Sequence, residues 1–268
     1  MGWFARRDQE LPQGLTLGVG QIGASHFDNA LPLIYAGMEA GRFTYGFWAS
    51  TRWAAASAIA AVAAGLLTVA AYSFLAGPPR AKPSDEYIVA VSCLAMIGVI
   101  IWSARLTGWP VRLYLAIVPA APIHYAVAVA AEAVLLFVHG LVLSQLCDGS
   151  ANFQTQGAEI RAAMNSSLAA LFVFNTVILA PVTEEVLFRG FLLPSWSRSW
   201  LGPIGAVAAT SVIFAAMHIQ YDVCGMIAVG LASCVYGWLR LRSGSLLPPI
   251  LAHCVGNAIA TMGFAAGT

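Results

Sequence analysis

Apolar runs of bilayer length recur along this chain, and no soluble fold can absorb them all. Stretches at 53–76, 87–104, 113–144, 165–193, 204–219, 225–241 and 247–264 approach or exceed the roughly 20 residues a helix needs to cross about 30 Å of hydrocarbon. Backbone polar groups in hydrocarbon must be satisfied within the segment, so runs of this length and composition span as helices. Only 9% of the 268 residues are charged, against about 25% in a soluble domain. The expected fold is all-α, a polytopic transmembrane bundle of about seven spans. Residues 1–52 form an N-terminal cytoplasmic or interfacial segment, 53–144 the first three spans, and 165–264 a C-terminal four-helix core.

Within that frame the first span is Ala-rich, which lets helix backbones approach closely and predicts a packed position. Pro119 and Pro122 sit inside the long third run and predict a kink or a separate interfacial piece. The stretch 147–161 reads as a polar loop. The five cysteines form no CxxC pair and read mostly as packing residues. The first thirty residues lack the pattern of a secretory signal peptide. A net charge of +1 without a basic patch gives no reason to expect a nucleic-acid partner.

Basic residues orient the bundle, because cytoplasmic loops are enriched in Lys and Arg. With the N-terminus inside, nine arginines (6, 7, 42, 52, 105, 112, 198, 240 and 242) fall inside. Only Arg80, Lys82 and Arg161 fall outside. The expected protein is integral to a membrane, with a cytoplasmic N-terminus.

The stretch 181–194, PVTEEVLFRGFLLP, breaks the apolar pattern with Glu184, Glu185 and Arg189. An ionised side chain at the bilayer centre costs about 2.5 kcal/mol or more, so this cluster needs partners or a function. Glu185 and Arg189 stand four residues apart and can pair along one helix face, whereas Glu184 points about 100° away. The pair is therefore assigned to structural support, and Glu184 to chemistry. Pro181 withdraws the helical donor from the Val177 carbonyl and should bend the helix. The fifth span ends in FAAMH, with Phe214 and His218 on one face; the seventh contains HCVGN, with His253 and Asn257 on one face.

A carboxylate and an imidazole can activate water, while an imidazole and an amide can stabilise an oxyanion, so these four side chains suit hydrolysis. Each has a blander reading: a buried salt-bridge network, an interfacial histidine, a packing asparagine. Three such pieces on three helices make coincidence a poor account. In the third span His124, Glu132 and His139 share an arc of about 80°; satisfied interhelical hydrogen bonds are the preferred reading over a polar cavity wall. Phe188 and Phe214 read as packing.

EEVLFR (184–189), FAAMH (214–218) and HCVGN (253–257) resemble, in order and spacing, the three signature motifs of the CAAX prenyl protease and bacteriocin-processing (CPBP) family. The resemblance covers about 165–264. It implies a helical intramembrane endopeptidase with a hydrated cavity, acting on a membrane-associated protein or peptide in the lipid bilayer. By motif position, Glu184 and His218 would activate water and His253 and Asn257 would hold the oxyanion. Glu184, His218 and His253 are also a possible zinc set, although HExxH is absent; a metal-free, glutamate-activated water is the preferred scheme. Serine, aspartyl and site-2 types lack their motifs: Ser245 in SGSLL and Asp222 in a short connector do not supply them. The alternative function is a non-proteolytic membrane scaffold or bacteriocin-immunity protein of the same fold.

Overall fold

The computed structural model describes residues 44–75, 84–140 and 151–266. Most of the N-terminal segment, together with Arg80, Lys82 and Cys147, lies outside them. Among the described residues every regular element is a helix. They are α1 (Phe47–Leu75), α2 (Asp85–Leu106), the single turn α3 (Val111–Tyr114), α4 (Pro122–Val138), α5 (Ala151–Met164), α6 (Ala169–Ser197), α7 (Gly202–Ala216), α8 (Val223–Ser243) and α9 (Leu247–Ala266). The protein is a helical membrane bundle. Among the described residues α1, α2, α6, α8 and α9 are long and apolar enough to cross a membrane, while α4 and α7 are apolar but shorter. Each of the seven expected spans thus corresponds to a helix, and five of them have full crossing length.

The Ala-rich α1 packs along α2 through small residues. Its buried positions are Ser50, Ser57, Ala61 and Gly65, a stripe on one face. Ser92 Oγ crosses to donate to the Ala61 carbonyl at 3.0 Å. A Cβ at Gly65 would lie 3.1 Å from Ser92 Oγ and 3.2 Å from Ile88 Cγ2, so glycine permits this approach.

The third run is not one helix. After α3 the backbone leaves helical geometry until Pro122 starts α4; proline is preorganised for a first helical turn, where its missing N–H costs nothing. The break is tied to the α8–α9 connector: Leu246 N–H donates to the Ala116 carbonyl at 2.8 Å, and Ser245 Oγ donates to that of Val118. Ser245 is therefore a buried structural hydroxyl. The expected polar loop at 147–161 is overturned over its described part, where α5 begins at Ala151. ANFQTQGAEIRAAM contains no proline and several good helix formers, and Arg161 Nη1 pins it by donating to the Phe264 carbonyl at 3.1 Å. Cys93, Cys234 and Cys254 are free thiols, whereas Cys224 is disulfide-bonded and so is not the packing residue expected.

α6 departs most from regular geometry, with π-helical turns over Asn175–Leu179 and Val186–Leu192. In the first, the Ala180 N–H reaches back five residues to the Asn175 carbonyl. The Thr176 carbonyl has then lost its α-helical donor, and the residue five on, Pro181, has no N–H to offer. The orphan predicted at Val177 is thereby moved to Thr176. In the second, the Leu193 N–H reaches Phe188, and the Arg189 carbonyl meets Pro194 in the same way. Side chains from other helices close both gaps: Asn257 Nδ2 donates to Thr176 O at 2.9 Å, and Arg240 Nε to Arg189 O at 3.2 Å. Around this helix gather Phe188, Phe191, Leu193, Trp196 and Phe214, which form the main buried core with α2, α7 and Leu246.

Gly65→Val should lower the stability of the purified protein by about 1–3 kcal/mol through overpacking. A fall in melting temperature in detergent, relative to an equivalent substitution at the open site Gly98, is the expected reading.

Candidate active site

Arg189 is the largest fully buried side chain, with 0% exposure. Its Nη1 donates to Glu185 Oε1 at 2.8 Å, as the spacing predicted, and its Nη2 donates to both the carbonyl and Oγ of Ser233 at 2.7 Å. The guanidinium also lies over the rings of Phe214 (5.1 Å) and Tyr236 (5.4 Å). Three helices of the core are thus gripped by one cation: α6 through Glu185, α7 through Phe214, and α8 through Ser233 and Tyr236.

Glu185 does more than hold that arginine. Its Oε1 also receives His253 Nδ1 at 3.0 Å, so the second glutamate of the pair orients a histidine from α9. This contact adds to the pairing with Arg189; a contact between residues 68 apart leaves no trace in helical spacing. A carboxylate that already accepts from arginine can only accept, so Nδ1 carries the proton and Nε2 is left to the site. His253 Nε2 lies 3.7 Å from Glu184 Oε2, beyond hydrogen-bond distance. The Glu184 side chain is 28% exposed while that of Glu185 is 0% exposed. The adjacent carboxylates therefore face different surroundings, and Glu184 is the accessible one.

His218 follows the C-terminal end of α7. Its Nδ1 lies 2.7 Å from the Phe214 carbonyl. A carbonyl only accepts, which fixes the tautomer: Nδ1 is protonated and Nε2 carries a lone pair. His218 and His253 both act electrostatically on Glu184. Phe214 packs against both imidazoles, at 4.7 Å and 6.0 Å between ring centroids, and meets Phe188 edge-on. Both phenylalanines are buried packing residues, as expected.

The structure therefore brings Glu185, Arg189 and His253 together by hydrogen bonds, with Glu184 3.7 Å from His253 and His218 acting on Glu184 electrostatically. Asn257 enters differently. One N–H of its Nδ2 closes the Thr176 gap, and a single N–H remains for any other acceptor. Among the described residues no three His, Cys, Asp or Glu side chains converge as a metal site. Asp222, the lone connector aspartate, N-caps α8 by accepting from Gly225 N at 2.8 Å.

Two aromatic residues at the site carried no signal in the sequence. Tyr221 stacks on His218 at 5.6 Å and 29°; burial first, and the Glu184 carboxylate second, raise its hydroxyl above the ordinary phenol range, which keeps it a neutral donor. Tyr236 stacks on His253 at 5.0 Å and 23°. Of His124, Glu132 and His139, Glu132 alone reaches the site, accepting from Tyr236 Oη at 3.0 Å. His124 lines a shallow groove with Trp238 and Arg242.

Residues 166–259 match the family model for type II CAAX prenyl endopeptidase Rce1-like proteins. The matched segment holds all three motifs that resemble the CAAX protease (CPBP) family. The chain is also similar to an uncharacterised 24.3 kDa protein of Escherichia coli, 39% identical over 93 residues, covering 31% of this chain and 39% of that protein. The chain thus spans about two fifths of the curated relative it matches. No solved structure matches it.

Asn257→Ala should cost about 1–3 kcal/mol by orphaning the Thr176 carbonyl. In a Pro181→Ala background, where a backbone N–H is restored, that cost should shrink by at least about 0.5 kcal/mol. Thermal denaturation of the four proteins of this cycle in detergent measures the coupling.

Proposed function

We propose that the protein is an intramembrane endopeptidase that hydrolyses a peptide bond of a membrane-associated protein or peptide by glutamate-activated water. The observation that carries this reading is the division of labour around Glu184. Two imidazoles from different segments have their Nδ1 atoms committed to fixed acceptors, and both act on one partly accessible carboxylate, with His253 Nε2 3.7 Å from it. The match over 166–259 to an endopeptidase family supports the same reading.

In this scheme Glu184 takes a proton from water as the oxygen attacks the substrate carbonyl carbon. His218 Nε2 accepts a hydrogen bond from that water and aligns its lone pair. The tetrahedral oxyanion is held by the remaining Asn257 N–H and by His253, which enters the cycle as imidazolium, its Nε2 proton taken from solvent before the attack and kept through collapse. Collapse breaks the C–N bond, and the proton held by Glu184 passes to the leaving amine, which restores the carboxylate. Glu185 and Arg189 keep His253 aimed and neutralise charge in a region of low dielectric. No step requires a metal.

The protein is integral to the membrane by its helices. Placement in a bacterial cytoplasmic membrane with the N-terminus inside is supported by the arginine asymmetry. Cys224 adds to this, since that topology puts the α7–α8 connector on the outer, disulfide-permissive side. The similarity to an Escherichia coli protein accords with a bacterial setting. A scaffold or immunity role of the same fold would use the polar cluster only to bind helices together.

Quantitative N-terminal peptide profiling of native membranes separates these readings. Glu184→Ala and His218→Ala should each remove a set of new peptide ends, with cleavage reduced at least about 100-fold, while the folded protein persists at wild-type abundance. Chelator treatment should leave the same ends in place. Wild-type cleavage by Glu184→Ala would overturn the mechanism, and an absence of Glu184-dependent ends would favour the scaffold.

A further inference from the structure

Glu132 belongs to none of the three motifs and lies on α4, before the family-matched segment begins. It is nevertheless buried at 4% exposure, where stripping water from a carboxyl group is costly. The surrounding structure is shaped to receive it. A Cβ at Gly256 would overlap Glu132 Oε1 and stand 2.8 Å from Cδ. Glycine at this place, between His253 and Asn257 on α9, opens a notch in which the carboxylate rests.

From that notch Glu132 Oε2 accepts the hydrogen bond of Tyr236 Oη at 3.0 Å. The Tyr236 ring stacks on His253, and the Arg189 guanidinium also lies over it. A ring held by stacking alone can still slide and tilt; a bond at its far oxygen removes that freedom. His253 is consequently restrained from two directions. Glu185 fixes its Nδ1 edge, and the Tyr236 stack fixes its plane. The ionisable and charged groups about this chain are His253 from α9, acting on Glu132, and Glu185 and Arg189 from α6, acting on Tyr236.

We propose that Glu132 is a positioning residue for His253, acting through Tyr236 to set the direction in which His253 Nε2 faces Glu184. The catalytic consequence rests on the endopeptidase reading above; the positioning itself does not. Loss of the Tyr236 hydroxyl should leave the stack and the fold intact but free the imidazole plane. Glu132→Gln retains an acceptor for that hydroxyl and should behave nearly as wild type.

The test uses the full chain in detergent micelles with ¹⁵N-labelled histidine. Among the five histidines, the His253 ring signals are identified by their disappearance in His253→Gln. Tyr236→Phe and Glu132→Ala are expected to displace those signals by more than a linewidth, with Glu132→Gln returning them to the wild-type position. Tyr236→Phe removes one oxygen and keeps the ring, so the test stands even if Glu132→Ala fails to fold. In membranes the Glu184-dependent peptide ends should appear roughly ten- to a hundredfold more slowly in Tyr236→Phe. Unmoved His253 signals in folded Tyr236→Phe would overturn the proposal, whatever the cleavage assay shows. Absence of Glu184-dependent cleavage in the wild type, with displaced signals, would instead count against the endopeptidase reading.

Discussion

The buried guanidinium of Arg189 is the constraint on which the rest of the core depends. A cation sealed from water needs partners for its donors, and here Glu185 takes Nη1 and Ser233 takes Nη2, Nε is left without a partner, and three aromatic faces surround the flat sides. Because those partners come from α6, α7 and α8, satisfying one side chain fixes the separation of three helices. The residual acceptor capacity of Glu185 Oε1 then captures His253 and brings in α9. The same charge compensation that makes the cluster tolerable in a bilayer also brings His253 to within 3.7 Å of Glu184. Stability and chemistry share a single polar network.

Much of this was legible in the sequence because it is written in local spacing. The four-residue interval between Glu185 and Arg189 fixes their pairing, and the one-residue offset of Glu184 fixes its divergence toward the accessible side. Runs of apolar residues located the helices, and Pro122 marked where the third run divides. What escaped has a common physical origin. Tyr236, Ser233 and Gly256 act through contacts between helices far apart in sequence, and each looks locally like an ordinary membrane residue. The polar composition after Cys147 predicts a loop, whereas α5 is a polar helix pinned to the end of α9 by Arg161.

Asn257 illustrates how a motif residue can serve two ends. Its position one turn after His253 suits an oxyanion donor, yet its amide is also the only described group that meets the Thr176 carbonyl. The two functions draw on different N–H bonds of the same nitrogen. Under the proposed mechanism, the residue that completes the helix carrying Glu184 would link the placement of the general base to that of the oxyanion donor.

The π turns of α6 give the site an angular reference. A five-residue hydrogen-bonded turn holds one residue more than an α-helical one, so everything beyond it is rotated by about one residue step, near 100°. Glu184 and Glu185 lie between two such turns. Their phase relative to both ends of α6 is therefore set by where the prolines deny a donor and by which side chains accept the vacancy, Asn257 on one side and Arg240 on the other. The catalytic face of this helix is thus a matter of counting: a single residue gained or lost within Asn175–Leu179 would turn the carboxylates away from the histidines without altering any of them.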